Sequence, residues 1–376
     1  MRETEGSVAT LAFGIMDGFG DIETYASAAD AYDRHIADAV EAERLGYRFY
    51  FFIEHQNAPF AYISSPSVYL AALARETSRL RFGPMVYQLP MHHPIRLAQD
   101  AATVDHLSRG RLEFGAGYGI HAHEFMRWEL PFRERRAMGE ELLDIVLKAW
   151  TEDSVTYQGA YWRFDEALPK PKPYQQPHPP VWIGAHSRVS FDYAARHNFN
   201  VGQNIDIDDV MADKFAYFHQ AWQALEHAGL PPRTLIARHV HVAETDERAR
   251  AEAEPYLLKG FFGGASAMQQ IAQTRIGFGG DPRMTGGERN PDIDERGRVF
   301  AELTRSYDFW IDNGLALVGS PETVIHRLAH QQARLGHDIF LAQHQLADMP
   351  RQQAVKSLEL FGREVIPAFA GVGVGV

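Results

Sequence analysis

Two titratable clusters stand where apolar runs of this chain stop. Glu54-His55-Gln56 closes the run Arg48-Phe-Tyr-Phe-Phe-Ile53, and Arg111-Leu-Glu-Phe-Gly-Ala-Gly-Tyr-Gly-Ile120 passes through three alternating glycines into His121 and His123. In an α/β chain the carboxyl ends of strands are where ligands bind, and a titratable imidazole stands at one of them. Two such strand ends facing one pocket point to an enzyme.

Other spacings carry competing readings. Gly115-Ala-Gly-Tyr-Gly119 follows a strand but has the spacing G-x-G-x-G, a weak match to the dinucleotide fingerprint. Its glycines would let a flat ligand approach the backbone, or would simply make a tight turn. Ser187-Arg-Val-Ser190 opens a helix, where unsatisfied N–H groups and hydroxyls suit a phosphate; taken alone, an ordinary serine N-cap explains it as well or better. His121 and His123 with Glu124, or His239 and His241, have the H-x-H spacing of barrel hydrolases that activate water on zinc. The last strand ends in Ala342-Gln343-His344 rather than an aspartate, which favours polar histidines lining a pocket mouth and no metal. His92-His93-Pro94 reads as structural, one imidazole capping the next helix.

Composition narrows the classes. With 37 basic against 49 acidic residues the net charge is -12, which disfavours nucleic acid and anionic membranes as partners. The absence of cysteine excludes disulfides, thiolate zinc and a cysteine nucleophile. No stretch is apolar for the roughly eighteen residues of a spanning helix, and the start lacks signal-peptide character. A soluble cytoplasmic protein is the resulting expectation.

The elements that must position these residues alternate. Apolar runs at 8–15, 48–53, 80–89, 111–117, 181–185, 200–204, 235–243 and 338–342 are separated by helical patterns, the signature of parallel strands covered by helices. Eight strand signals favour one closed (β/α)8 TIM barrel with insertions spanning 1–376. Six prolines within 169–180 exclude a helix or central strand and read as a spacer inside the barrel. The Gly-, Asp- and Arg-rich stretch 261–298 breaks the rhythm and is expected to be a mobile active-site lid or a disordered insertion before the last strand. The Gly-Val tail 371–376 reads as a frayed end.

Together, Glu54-His55, Arg75-Glu-Thr-Ser-Arg-Leu-Arg-Phe-Gly83, Leu89-Pro-Met-His-His-Pro-Ile-Arg96, Leu107-Ser-Arg-Gly-Arg111 and Gly319-Ser-Pro-Glu-Thr323 resemble the bacterial luciferase-like flavin monooxygenase family over nearly the whole chain. The resemblance implies the barrel already reached by counting. It implies FMN as cofactor, His55 beside the flavin's reactive edge, Met85 and Val86 against the isoalloxazine ring through a backbone that is sometimes cis, and Ser187 and Ser190 as the hydroxyls that hold the phosphate. The long insertion matches the family's mobile loop, and a homodimer is implied as well. The chain also departs from the pattern. Tyr118 stands in place of the phosphate-binding arginine, Ile120 at the neighbouring backbone-contact position, Gln56 for a frequent second histidine and Gly117 for a reactive cysteine.

The implied reaction is that of a two-component monooxygenase. Reduced FMN arrives from a separate reductase, reacts with dioxygen, and a flavin C(4a)-peroxide oxygenates a small, apolar organic substrate. Phe13, Phe19, Phe60, Tyr62 and Trp128 could form the apolar wall that keeps water out, or be ordinary barrel packing. The alternatives are a deazaflavin-dependent hydride-transfer oxidoreductase, a metal-dependent TIM-barrel hydrolase and a flavin binder without catalysis.

Overall fold

The computed structural model describes residues 11–18, 25–56, 63–204, 206–227, 229–259 and 298–370. Phe19, Phe60, Tyr62, residues 261–297 of the expected lid and the tail 371–376 lie outside the described residues. Arg298, the last residue assigned to that insertion, is already helical.

The strands in chain order are β1 (Ala12–Asp17), β2 (Phe49–Phe52), β3 (Arg81–Pro84), β4 (Tyr87–Gln88), β5 (Phe114–Gly117), β6 (Val155–Gln158), β7 (Arg163–Ala167), β8 (Val181–Gly184), β9 (Asn200–Gln203), β10 (Thr234–Val242), β11 (Ala316–Gly319) and β12 (Ile339–Gln343). The main sheet runs β3-β2-β1-β12-β10-β9-β8-β5-β4, and all its pairings are parallel. The third run of the sequence is thus two segments: β3 pairs with β2, β4 pairs with β5, and between them lies a cis Met85–Val86 peptide. A further bridge joins Phe82 to Leu112, so the sheet closes on itself as a barrel.

Helices α1 (Ala28–Arg44), α2 (Pro66–Glu76), α3 (Pro94–Ser108), α4 (Ala122–Arg127), α5 (Arg135–Thr151), α6 (Arg188–His197), α7 (Asp208–Gln223), α8 (Asp246–Leu257), α9 (Tyr307–Asp312), α10 (Pro321–Leu335) and α11 (Arg351–Leu360) surround it. Their ends follow local chemistry. Ser27 accepts from the Asp30 amide at 3.1 Å to start α1, and Gly46, at φ +98°, takes the left-handed conformation that ends it. His93 accepts from the Arg96 amide ahead of Pro94, the capping role expected of that pair. No described helix is long and apolar enough to cross a membrane.

Period-two alternation divides the strands between two cores. Phe49 and Phe51 pack inside the barrel with Met16, Trp182, Leu235 and Leu341. Tyr50 and Phe52 face the helices, which is why a parallel strand reads as an unbroken apolar run. Phe13 belongs to this outer layer, edge-on to Phe361 and Phe369 with centroids 5.7 and 5.5 Å away. It is therefore not part of a pocket wall.

The proline-rich segment 169–180 precedes β8, which pairs directly with β5 in the same sheet. Gln175 ties it to Asp105 on α3, donating from its amide and side chain at 2.8 Å each. Three features have no counterpart in the sequence reading: the β6–β7 hairpin, the strand β11 that pairs with β10, and the short helix α4. The hairpin carries mostly exposed polar residues, and α4 has only six residues, so neither builds an apolar period to detect.

Candidate active site

The glycines after β5 have a definite task. A Cβ on Gly115 would collide with the Pro84 carbonyl, and one on Gly117 with the Val86 side chain, so these positions admit the Met85–Val86 segment. Gly184 and Gly202 likewise face Val86 and Met85 at 3.1 Å. Where the sequence left a flat ligand or a tight turn open, the neighbour that comes close at Gly115 and Gly117 is the Met85–Val86 segment with Pro84. The glycines seat a raised platform whose top is Met85 and Val86, at the C-terminal rim of the barrel.

Glu54 holds that platform to the end of β2. Its buried carboxylate accepts from the Gln88 amide at 2.8 Å, from Gln56 Nε2 at 2.8 Å and from His92 Nε2 at 3.0 Å. Burial opposes charge on His92, but the Glu54 carboxylate outweighs it and raises the imidazole above its ordinary value. Gln56, which stands where a second histidine is frequent, is thus an anchor for Glu54.

His55 follows on the same rim and turns the other way. Its Nδ1 donates to Glu124 Oε1 at 2.9 Å, with Glu124 fully buried on α4. The ring lies 4.9 Å from that of His121, which lies 5.4 Å from that of His123. Burial, reinforced by the neighbouring His55 and His123, holds His121 down at about 2, so it is neutral. A carboxylate on Nδ1 fixes the tautomer of His55 and leaves Nε2 as the acceptor of the neutral ring.

A second group forms where α6 begins. Ser187 occupies the N-cap position yet makes no side-chain cap; its hydroxyl lies 3.1 Å from that of Ser190. Arg136 reaches over from α5 and donates to Ser190 Oγ at 2.9 Å, and to Glu140 at 3.0 Å. Two hydroxyls, uncapped amides and a guanidinium at one helix N-terminus are the donor set of a phosphate site. Tyr118 lies beneath it, its ring 5.0 Å from the Arg136 guanidinium. Ile120 is half exposed.

The H-x-H pair of β10 does not converge on a shared ligand. His239 lies edge-on to Trp310, 4.9 Å between centroids, and burial holds it at about 3, while His241 Nε2 pairs with Glu252 at 2.9 Å. His344, at the end of β12, is tied to Tyr47 and Ser357 at 2.9 Å each.

Two residues escaped the sequence reading in these roles. Glu124 was visible only as a companion of His121 and His123; its pairing with His55 spans 69 positions. Arg136 left a signal: Arg135 and Arg136 open α5, with no acidic residue in the first turn, against the preference of a positive helix end for anions.

Residues 11–338 match the family of luciferase-like monooxygenases. The chain belongs to that family. Among relatives, the oxygenase component of a flavin-dependent trigonelline monooxygenase from Acinetobacter baylyi is 27% identical over 306 residues, 76% of this chain and 84% of that one. An FMNH2-dependent dimethylsulfone monooxygenase from Pseudomonas putida is 26% identical over 314 residues, 79% of this chain and 76% of that one. The solved structure of monooxygenase RslO1 from Streptomyces bottropensis superposes with a TM-score of 0.76 at 23% identity, covering 96% of this chain and all of that one, and shares the fold. As a luciferase-like monooxygenase the chain is an oxidoreductase of the flavin-dependent monooxygenase kind.

Proposed function

We propose that this luciferase-like protein is the oxygenase of a two-component system that takes reduced FMN from a separate reductase and oxygenates a small organic substrate. The observation that carries this reading is the placement of two complementary groups on one rim: a phosphate-type donor set at Ser187, Ser190 and Arg136, and a tautomer-fixed imidazole at His55. The names of the relatives, an oxygenase component and an FMNH2-dependent enzyme, support the same cofactor and the same division of labour. When bound, reduced FMN supplies the electrons that activate dioxygen.

The chain supplies the rest. Ser187, Ser190 and Arg136 hold the phosphate, so Arg136 takes over the charge that Tyr118 lacks. The Met85–Val86 platform backs the ring, with the backbone next to Tyr118 and Ile120 flanking the phosphate end. His55 accepts and returns a proton at Nε2, held in that tautomer by Glu124. Water must be kept from the site, since activated oxygen that meets solvent is lost as hydrogen peroxide. A homodimer is part of this proposal, checked by sedimentation.

The test is an anaerobic titration with photoreduced FMN followed by mixing with dioxygenated buffer and candidate substrates. Binding of reduced FMN, with peroxide release that falls as an organic substrate is oxygenated, supports the reading. No affinity for FMN in either redox state, or anaerobic hydride transfer with a deazaflavin instead, overturns it.

A further inference from the structure

Glu124 is the starting point. Its carboxylate is fully buried, and while Oε1 accepts from His55, Oε2 finds no hydrogen-bond partner among the described residues. A buried carboxylate requires a positive counterpart. The hydrogen bond from His55 answers one oxygen and leaves the other without a donor among the described residues. The surroundings offer a way to supply that counterpart, because one ligand atom each from His55, His121 and Glu124 lies within 4.8 Å of the others, and among the described residues no other trio of histidine and carboxylate side chains comes together in this manner.

The chemistry of the set is specific. Two imidazoles and one carboxylate form a ligand set that Zn2+ accepts, with a fourth position left to water. In a tetrahedral shell with metal–ligand bonds of about 2.0–2.1 Å, ligand atoms stand about 3.3 Å apart, so side-chain rotation alone can close the trio. Ligand type, number and proximity are thus met by side chains of which Glu124 and His121 are buried.

The geometry points to a site for a borderline divalent cation of the Zn2+ class at His55, His121 and Glu124, which inhibits the enzyme when filled. Binding displaces the hydrogen bond between His55 and Glu124: the single ring proton of the imidazole ends on the nitrogen that does not face the cation, and the other nitrogen is fixed as a metal ligand. His55 then no longer moves a proton beside the flavin. The inhibitory half of this inference rests on the proposed flavin chemistry; the binding half does not.

The experiment separates the two. Purified full-length protein, free of flavin, is titrated with Zn2+ against a chromophoric chelator, and with Co2+ while its visible d–d absorption is followed. One equivalent is expected to bind, with Co2+ bands of a four- or five-coordinate ion. Glu124→Gln, which keeps size and shape, and His121→Asn each weaken binding about 100-fold or more, whereas Glu252→Gln at the other histidine–carboxylate pair leaves it unchanged. Binding that survives both substitutions, or that Glu252→Gln abolishes, overturns the site. In the second half, one equivalent of Zn2+ stops turnover with reduced FMN and dioxygen, and chelation restores it. Stoichiometric zinc with full turnover overturns the inhibitory role and leaves the site standing, and a failure of FMN to bind zinc-free protein counts against the flavin reading alone.

Discussion

The two ends of the barrel each bury a glutamate, and they treat it differently. At the N-terminal end, Glu113 is fully buried and satisfied by strong donors: Arg81 Nε on one oxygen, the Trp182 indole at 2.5 Å on the other, and Arg233 at 3.7 Å. At the C-terminal rim, Glu124 is equally buried but is given an imidazole at 2.9 Å. A guanidinium cannot release its proton, so Glu113 is a permanent plug. An imidazole can, so under the proposed function the carboxylate at the rim would hold a group able to move a proton. The side chain is the same; the partner differs.

The sharpest way to break this contrast is His55→Asn. Coupled oxygenation, measured as product formed per reduced FMN consumed, is expected to fall by about two to four orders of magnitude, with the thermal unfolding midpoint unmoved. Unchanged turnover with unchanged peroxide release would remove the imidazole from the mechanism. Next comes Arg136→Ala at the same rim. Loss of a charge-assisted contact worth about 1.5–3 kcal/mol raises the dissociation constant for reduced FMN about 10- to 100-fold. Riboflavin, which lacks the phosphate, is expected to bind both proteins equally, and a matching loss there would place Arg136 elsewhere in the site.

At the closed end the readout changes from activity to stability. Glu113→Gln leaves the Arg81 and Arg233 guanidinium groups without their carboxylate, and about 1–3 kcal/mol of folding free energy is expected to be lost in denaturant unfolding. FMN affinity stays where it was. If affinity falls with stability, the two ends are coupled and the contrast drawn above is wrong.

The sequence shows the closed end and the open end to different degrees. Strand runs such as Arg48-Phe-Tyr-Phe-Phe-Ile53 are legible because both faces of a parallel strand are buried, and this made the barrel countable. His55 is legible because it stands where such a run stops. The break between β3 and β4 is not, since Leu80 to Leu89 is continuously rich in apolar residues and only the pairing change reveals two segments. Glycines 115 and 117 were legible as positions of close approach, but sequence does not show that the Pro84–Val86 segment is what approaches. Arg136 acts at Ser190 across 54 positions, a distance that no local pattern bridges.

Glu43 offers the smallest and most pH-specific test of the closed end. Near the end of α1, its carboxylate accepts from the amides of Ser78, Arg79 and Leu80 at 3.0, 2.7 and 2.7 Å and from the Ser78 hydroxyl at 2.7 Å, fixing the turn that leads into β3. Partial burial pushes its pKa up, but the Arg79 and Leu80 amides and the Ser78 donors prevail and hold it at about 2, below its ordinary 4.5. The folded state therefore binds this proton less readily than the unfolded chain, so the contribution is complete above about 4.5 and is lost as pH falls toward 2. In Glu43→Gln the donors keep only a neutral acceptor and that part of the acid sensitivity disappears. Denaturant midpoints of the two proteins are thus expected to differ at neutral pH and to converge as pH approaches 2, with oxygenation per reduced FMN unchanged at neutral pH. A gap that persists undiminished into acid would assign the turn's stability to shape rather than to the charge on Glu43.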